Sequence, residues 1–428
     1  MLIAASTAQA AVWVNQRAWS ADEEQQYSRW VRASWSKNFF SQKTLPGSST
    51  VNPFYGNRVD CADTVYSMRF IYSFIRRLPF VISDPSGAGL ISNTMKRFDS
   101  KASEDERAAL MLKWLYDIVA TDHMDADTFP VALNASAIRP GIVILTTHAN
   151  HHSWTVKDIL DTGVPWLVFN SRVGATSSII LQERKSWPHG AWVFEGDATL
   201  EGRAGFRDWR PAAYLNQPVW NVPGFSDEQY RVGPAQWSTV AMTALAQRRE
   251  RPDEKLLRLM DAACGDLQQR VSAVQEGVSF LRSSGYACMD PATFDLYSTP
   301  SRDHRLFDSL ADIRRAYISL LKSGATIGAG TLAKVAKIVP FPALSARDEM
   351  GKMNSSQQID AKSVCVVEYA PGVRIDLAEA KRRMFAGRFS SNPHDDLDYR
   401  WGEKAGPSAT ALQCPSEKLW TPNVDEAN

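Results

Sequence analysis

Apolar residues return every third or fourth position at Val65, Met68, Ile71, Ile75 and Leu78, with Pro79 behind them as a stop. This spacing predicts an amphipathic helix that starts close to Cys61. Ser20-Ala21-Asp22-Glu23 has the form of a capping box and opens an earlier helix that carries Tyr27, Trp30, Val31 and Trp35 toward Phe39. Residues 104–119 predict a third amphipathic helix. The period then shortens. Ile142-Val143-Ile144-Leu145, Ser153-Trp154-Thr155-Val156 and Trp166-Leu167-Val168-Phe169 predict buried strands, with Thr162-Gly163 turning between the last two. Ala191-Trp192-Val193-Phe194 predicts a fourth. Helices followed by an antiparallel sheet form an α+β pattern.

Beyond residue 230 the helical period returns over 240–249, 254–281 and 305–321. Residues 345–362 are polar and predict a long loop, 364–369 a strand and 376–385 a helix. The length of 428 residues exceeds one ordinary core. The expected division is a signal-peptide remnant at 1–12, an α+β domain at 13–230, a helical subdomain or insertion at 231–345, and a loop-rich region at 346–428 that completes the fold.

Composition narrows the function classes. Lys+Arg 48 against Asp+Glu 47 leaves a formal charge of +1, which argues against a nucleic-acid binder driven by bulk electrostatics. No window approaches the roughly 18 apolar residues that a membrane helix needs. Ala8-Gln9-Ala10 matches the small-residue cleavage pattern of a secretory signal, so we expect export to a periplasmic or secreted location. There Cys264, Cys288, Cys365 and Cys414 can form disulfides, for instance as Cys264–Cys288 and Cys365–Cys414, although four cysteines allow three pairings. Cys61 is left over, at a predicted helix start that favours a thiolate.

Three pieces carry candidate chemistry: Cys61, the run His148-Ala149-Asn150-His151-His152 at a strand entry, and Asn170 at a strand end. A thiolate nucleophile needs an imidazole within hydrogen-bond reach, and the imidazole needs a polar group to fix its tautomer. Strand alternation puts His152, Trp154 and Val156 on one face and His151 on the other. His152 is the favoured base, with His148 and His151 as alternatives. The three histidines do not share a helix face and no carboxylate follows closely, so neither a metal site nor a cofactor is expected. Two Arg/Trp clusters, 205–211 and 399–402, are possible walls for a sugar or carboxylate, with structural pairing as the plainer reading.

The run Cys61-Ala-Asp-Thr-Val-Tyr-Ser-Met-Arg-Phe-Ile-Tyr-Ser-Phe-Ile-Arg-Arg-Leu-Pro-Phe80 resembles the nucleophile helix of transglutaminase-like proteins. His152-Ser153-Trp154 with Trp166-Leu-Val-Phe-Asn170 is similar to that family's two following strands, and NlpC/P60 peptidases share the Cys-then-His order. The resemblance implies a papain-like core in which the nucleophile helix packs on an antiparallel sheet. It assigns Cys61 as nucleophile, His152 as general base and acid, and Asn170 as the orienting residue. Tyr55 and Asn57 are candidates to complete an oxyanion hole with the Cys61 N–H. The expected activity is attack on an amide bond through a thioester. Compartment and the 14 tryptophans point to peptidoglycan stem peptides as substrate. The alternatives are a non-catalytic envelope protein that binds glycan or a protein partner through a Trp-rich groove, and an amide-crosslinking acyltransferase.

Overall fold

The structure is a computed structural model that describes residues 11–146, 152–171, 180–187, 204–353, 359–416 and 419–428. The chain forms two units: Met1–Ser171 with Ile179–Arg249, and Arg172–Ser178 with Glu250–Asn428. The expected strand at 191–194 and most of the expected signal remnant lie outside the described residues. Val12, the last residue of that remnant, is already core, and the adjacent Trp13 donates its indole N–H to the Leu78 carbonyl.

The first unit is α+β. Helices α1 (Ala21–Ser34), α2 (Cys61–Arg76) and α3 (Glu104–Ile118) precede most of the sheet. The Ser20 side chain caps α1 by accepting from the Glu23 amide, as the sequence predicts. A small hairpin, β1 (Val81–Ser83) and β2 (Leu90–Ser92), follows α2. The main sheet has six strands: β3 (Thr128–Pro130), β4 (Val143–Thr146), β5 (His152–Ile159), β6 (Pro165–Ser171), β7 (Ile180–Lys185) and β8 (Gly205–Trp209). Their order is β3-β8-β4-β5-β6-β7, and every pair is antiparallel.

Each face of the sheet has its own apolar layer. Val143, Leu145, Val168 and Leu181 join the core of α1, α2 and α3. Ile144, Trp154, Val156, Leu167, Phe169 and Phe206 join a second core on the other side. That second core also takes Trp237, Ala241 and Leu245 from the helix Pro234–Leu245. The first unit therefore extends to residue 249 rather than 230, because this helix buries its apolar face under the sheet.

The expected helical region and loop-rich tail together form the second unit. Helices Pro252–Ser283 and Pro300–Lys322 supply its centre, and helix Leu377–Phe385 packs against them. Part of the expected 345–362 loop is the helix Ala346–Lys352. The disulfides are Cys264–Cys365 and Cys288–Cys414. They correct the sequential pairing, because each joins a helical-region residue to the tail. Charges are buried in partnered groups: Arg270 with Asp303 at 2.5 Å, and Glu349 between Arg314 and Lys381 at 3.2 and 2.7 Å. Two disulfides are compatible with an oxidising compartment. Among the described residues no helix is long and apolar enough to cross a membrane.

The β5–β6 turn depends on Gly163, whose φ is +79° and whose added Cβ would lie 2.1 Å from the Met242 carbonyl oxygen. Gly47 has a similar φ of +71° and open space around it. We expect Gly163→Ala to lose about 1–3 kcal/mol to the left-handed backbone alone, and more to the clash. Gly47→Ala should lose only the first part. Denaturant unfolding of both variants measures the difference, and equal losses would contradict the packing of this turn against the helix.

Candidate functional site

Asp60 caps α2 and Cys61 is its first residue. The Asp63 amide donates to Asp60 Oδ1 at 3.0 Å and the Asp60 amide to Asp63 Oδ2 at 2.9 Å, a reciprocal box that satisfies two helix-end donors. Cys61 is half-buried and is the free cysteine. Its Sγ lies 3.0 Å from the Thr121 hydroxyl, in the short turn after α3.

Strands β5 and β6 hold the backbone around the thiol. Ser153 Oγ donates to the Cys61 carbonyl at 2.8 Å, and Asn170 Nδ2 donates to the Val59 carbonyl. The neighbouring position on this face, Thr155, accepts from the Trp35 indole N–H at 3.2 Å. Cys61 and Asn170 thus stand on the same side of the sheet. Asn170, however, spends a donor on the backbone that leads into α2.

His152 is on the other side. Its ring centroid is 4.5 Å from that of Trp154 and 6.1 Å from that of Phe169, both edge-on, and these two rings belong to the second core. Its amide donates to Thr146 Oγ1 at 2.9 Å. The expected alternation within β5 is correct, but α2 packs on the face of Ser153 and Thr155. The expected pairing of Cys61 with His152 is therefore not what the strand presents: the His152 ring packs with Trp154 and Phe169, on the face opposite Ser153 and the Cys61 carbonyl. His148 and His151 lie outside the described residues.

The surroundings keep the thiol protonated. Burial pushes the Cys61 pKa up, the Thr121 hydroxyl and the Ala62 amide oppose this, and the Asp60 and Asp63 carboxylates add to the rise. Asp63 is itself pushed up to about 8, first by burial and then by the Asp60 charge. Its Oδ1 is buried and without a hydrogen-bond partner. Asn57 donates to the Tyr116 hydroxyl at 3.3 Å, and Tyr55 is half-exposed. Among the described residues no cluster of three or more His, Cys, Asp or Glu could hold a metal ion.

The sequence reading missed Thr121, Ser153 and Asp63. Ser153 was recoverable from strand parity and Asp63 from the Asp-x-x-Asp spacing, whereas Thr121 carries no local signal. No family model matches the chain, and no curated protein or solved structure matches it.

Two measurements test these electrostatics. Cys61 should be the thiol that iodoacetamide labels in the oxidised protein, with a rate that keeps climbing above the pH of about 8.5 typical of a free cysteine. Asp60→Asn should speed labelling near neutral pH and Thr121→Ala should slow it; the opposite order would contradict the assigned causes. The second concerns stability. Asp63 binds its proton more tightly folded than unfolded, so stability should fall as pH rises from about 4 toward 8. Asp63→Asn should flatten that slope in denaturant unfolding across this window.

Proposed function

We propose that the protein is an exported cysteine-nucleophile enzyme with a papain-like core, acting on amide bonds of peptidoglycan stem peptides. The observation that carries this reading is the placement of Cys61. The other four cysteines are taken up in disulfides, and this thiol stands at the first turn of α2 against one face of an antiparallel sheet. Sγ attacks the amide carbonyl, the thiol proton passes through a base to the leaving amine, and water then hydrolyses the thioester. The N–H groups at the start of α2 supply oxyanion donors.

A thiol that rests protonated needs a general base at the moment of attack. The His148–His152 segment supplies it in this reading. His148 and His151, the alternatives that the sequence offers to His152, are the remaining candidates, and His151 is taken as the first choice. Asn170 acts as a positioning residue, holding the Val59 carbonyl and with it the approach to Cys61. A second reading, a non-catalytic envelope protein, is favoured by the raised thiol pKa and by the two carboxylates beside it.

Release of stem peptides from purified peptidoglycan distinguishes the two. Cys61→Ala should abolish release while the protein stays folded, and His151→Ala should lower kcat by about 10²–10⁴. His152→Ala should leave kcat within about threefold, since removing a group that does not transfer the proton costs far less than removing the base. A wild-type protein inert on peptidoglycan, or a fully active Cys61→Ala variant, would favour the binding protein.

A further inference from the structure

A cavity of about 460 Å³ opens in the first unit beside the middle of α2, and Trp19, Pro79, Phe80, Val81, Trp209 and Pro211 supply its apolar wall. Arg69, also on the lining, is eight residues beyond Cys61, or roughly 12 Å along the helix axis. The size falls within the range of small-ligand sites, roughly 300–1,000 Å³. An apolar cavity of about 150 Å³ holds one benzene ring, so this one has room for two fused rings.

Bonds within the protein fix this wall. The Trp19 indole donates to the Pro79 carbonyl at 2.8 Å, and the Arg69 guanidinium lies 3.3 Å from the Trp19 ring centroid. The Phe80 amide donates to Asn93 Oδ1 at 3.0 Å, and the Phe80 ring meets Phe70 edge-on at 5.0 Å between centroids. Closing the cavity means breaking such contacts. A ligand that fills it adds dispersion contacts at no such cost.

The charged groups on the lining are answered inside the protein. Glu24 takes Arg69 Nη2 and Nη1 at 2.6 and 3.0 Å, and Arg139 at 3.3 Å. Arg139 also reaches Asp208 at 2.6 Å, so two cations and two anions cancel. Arg210 gives Nε, Nη1 and Nη2 to the backbone carbonyls of Thr128, Gln217 and Asp125 at 2.9, 3.0 and 3.0 Å. Asp125 and Asp127 offset its charge through space. Ser73 Oγ donates to the Arg69 carbonyl at 2.8 Å.

The Trp209 Nε1 is buried, which leaves carbon of that ring to meet a ligand. An ionised ligand would give up its hydration here against charges that are already engaged, at a large cost. An uncharged ring gives up little and meets aromatic walls, whose edge and face contacts add to area burial. The charge inventory therefore selects against ions of either sign.

We propose that this cavity binds an uncharged small molecule with a flat aromatic body of one or two rings. The site stands independently of any reaction at Cys61.

Calorimetric titration of the full chain tests this with probes that share one skeleton: neutral naphthylethanol, the anion naphthylacetate, the cation naphthylethylamine, and the ring-saturated decahydronaphthylethanol. Naphthylethanol should bind, and both ions should bind at least about tenfold more weakly, since neither meets a free counter-charge. The saturated alcohol should bind at least about threefold more weakly, because it lacks the ring–ring contacts. Ala212→Phe fills the cavity from an exposed rim position and should abolish binding of naphthylethanol. Cys61→Ala should bind it as the wild type does. The proposal is overturned if naphthylethanol does not bind, if either ion or the saturated alcohol binds as tightly, or if binding survives Ala212→Phe.

Discussion

The seam between the start of α2 and one face of β5 and β6 sets the rest of the first unit. Ser153 holds the Cys61 carbonyl and Asn170 holds the Val59 carbonyl, so two adjacent strands fix the residues that lead into one helix. Because strand side chains alternate, this choice decides every neighbouring position. Thr155 and Val168 go under the helices, while Trp154, Phe169 and His152 go to the opposite layer. A one-residue shift in the register of β5 would exchange the two sets and bring an imidazole to the thiol. It would also expel Trp154 and Val156 from a closed core. Burial of those side chains, worth about 1.5–3 kcal/mol for each one of aliphatic size, opposes such a shift.

The same seam governs the thiol. A helix start normally favours an anion, by about 0.3–1 kcal/mol at exposed sites. Here burial outweighs that effect, and the two aspartates of the cap add to the rise. The strain is relieved in part by Asp63, which holds its own proton well above the usual carboxylate range. In the proposed reaction the thiol would start neutral, as a serine hydroxyl does, rather than as a preformed thiolate–imidazolium pair, and would depend on a base during attack.

Much of the fold was legible because local rules were strong. The Ser20 cap, the start of α2 at Cys61, and the glycine of the β5–β6 turn are each dictated by backbone needs that a few residues reveal. Strand β8 was hidden because Arg207 and Asp208 interrupt its apolar pattern. Arg207 is nonetheless fully buried, donating Nε to the Thr128 hydroxyl at 2.7 Å and an Nη to the Thr128 carbonyl at 2.8 Å. Disulfide connectivity was equally illegible, since it follows from how distant segments meet. In the site, parity was readable but the face that α2 covers was not. That choice rests on the sum of two cores, and no single motif encodes it.

The two proposed sites share one helix, and the structure argues that they act separately. Tyr66, one turn beyond Cys61, touches the Trp209 ring edge-on at 5.7 Å between centroids and donates its hydroxyl to Asp127 at 2.6 Å. Tyr66 is a buried side chain whose hydroxyl is committed to Asp127. Coupling between sites needs an element with two states that both ligands bias. Arg69, locked to Glu24 and against Trp19, is equally fixed. Substitutions at positions roughly 12 Å apart on such a scaffold are expected to add without interaction. The rigidity that keeps Cys61 at its helix start thus also isolates it from the cavity two turns away.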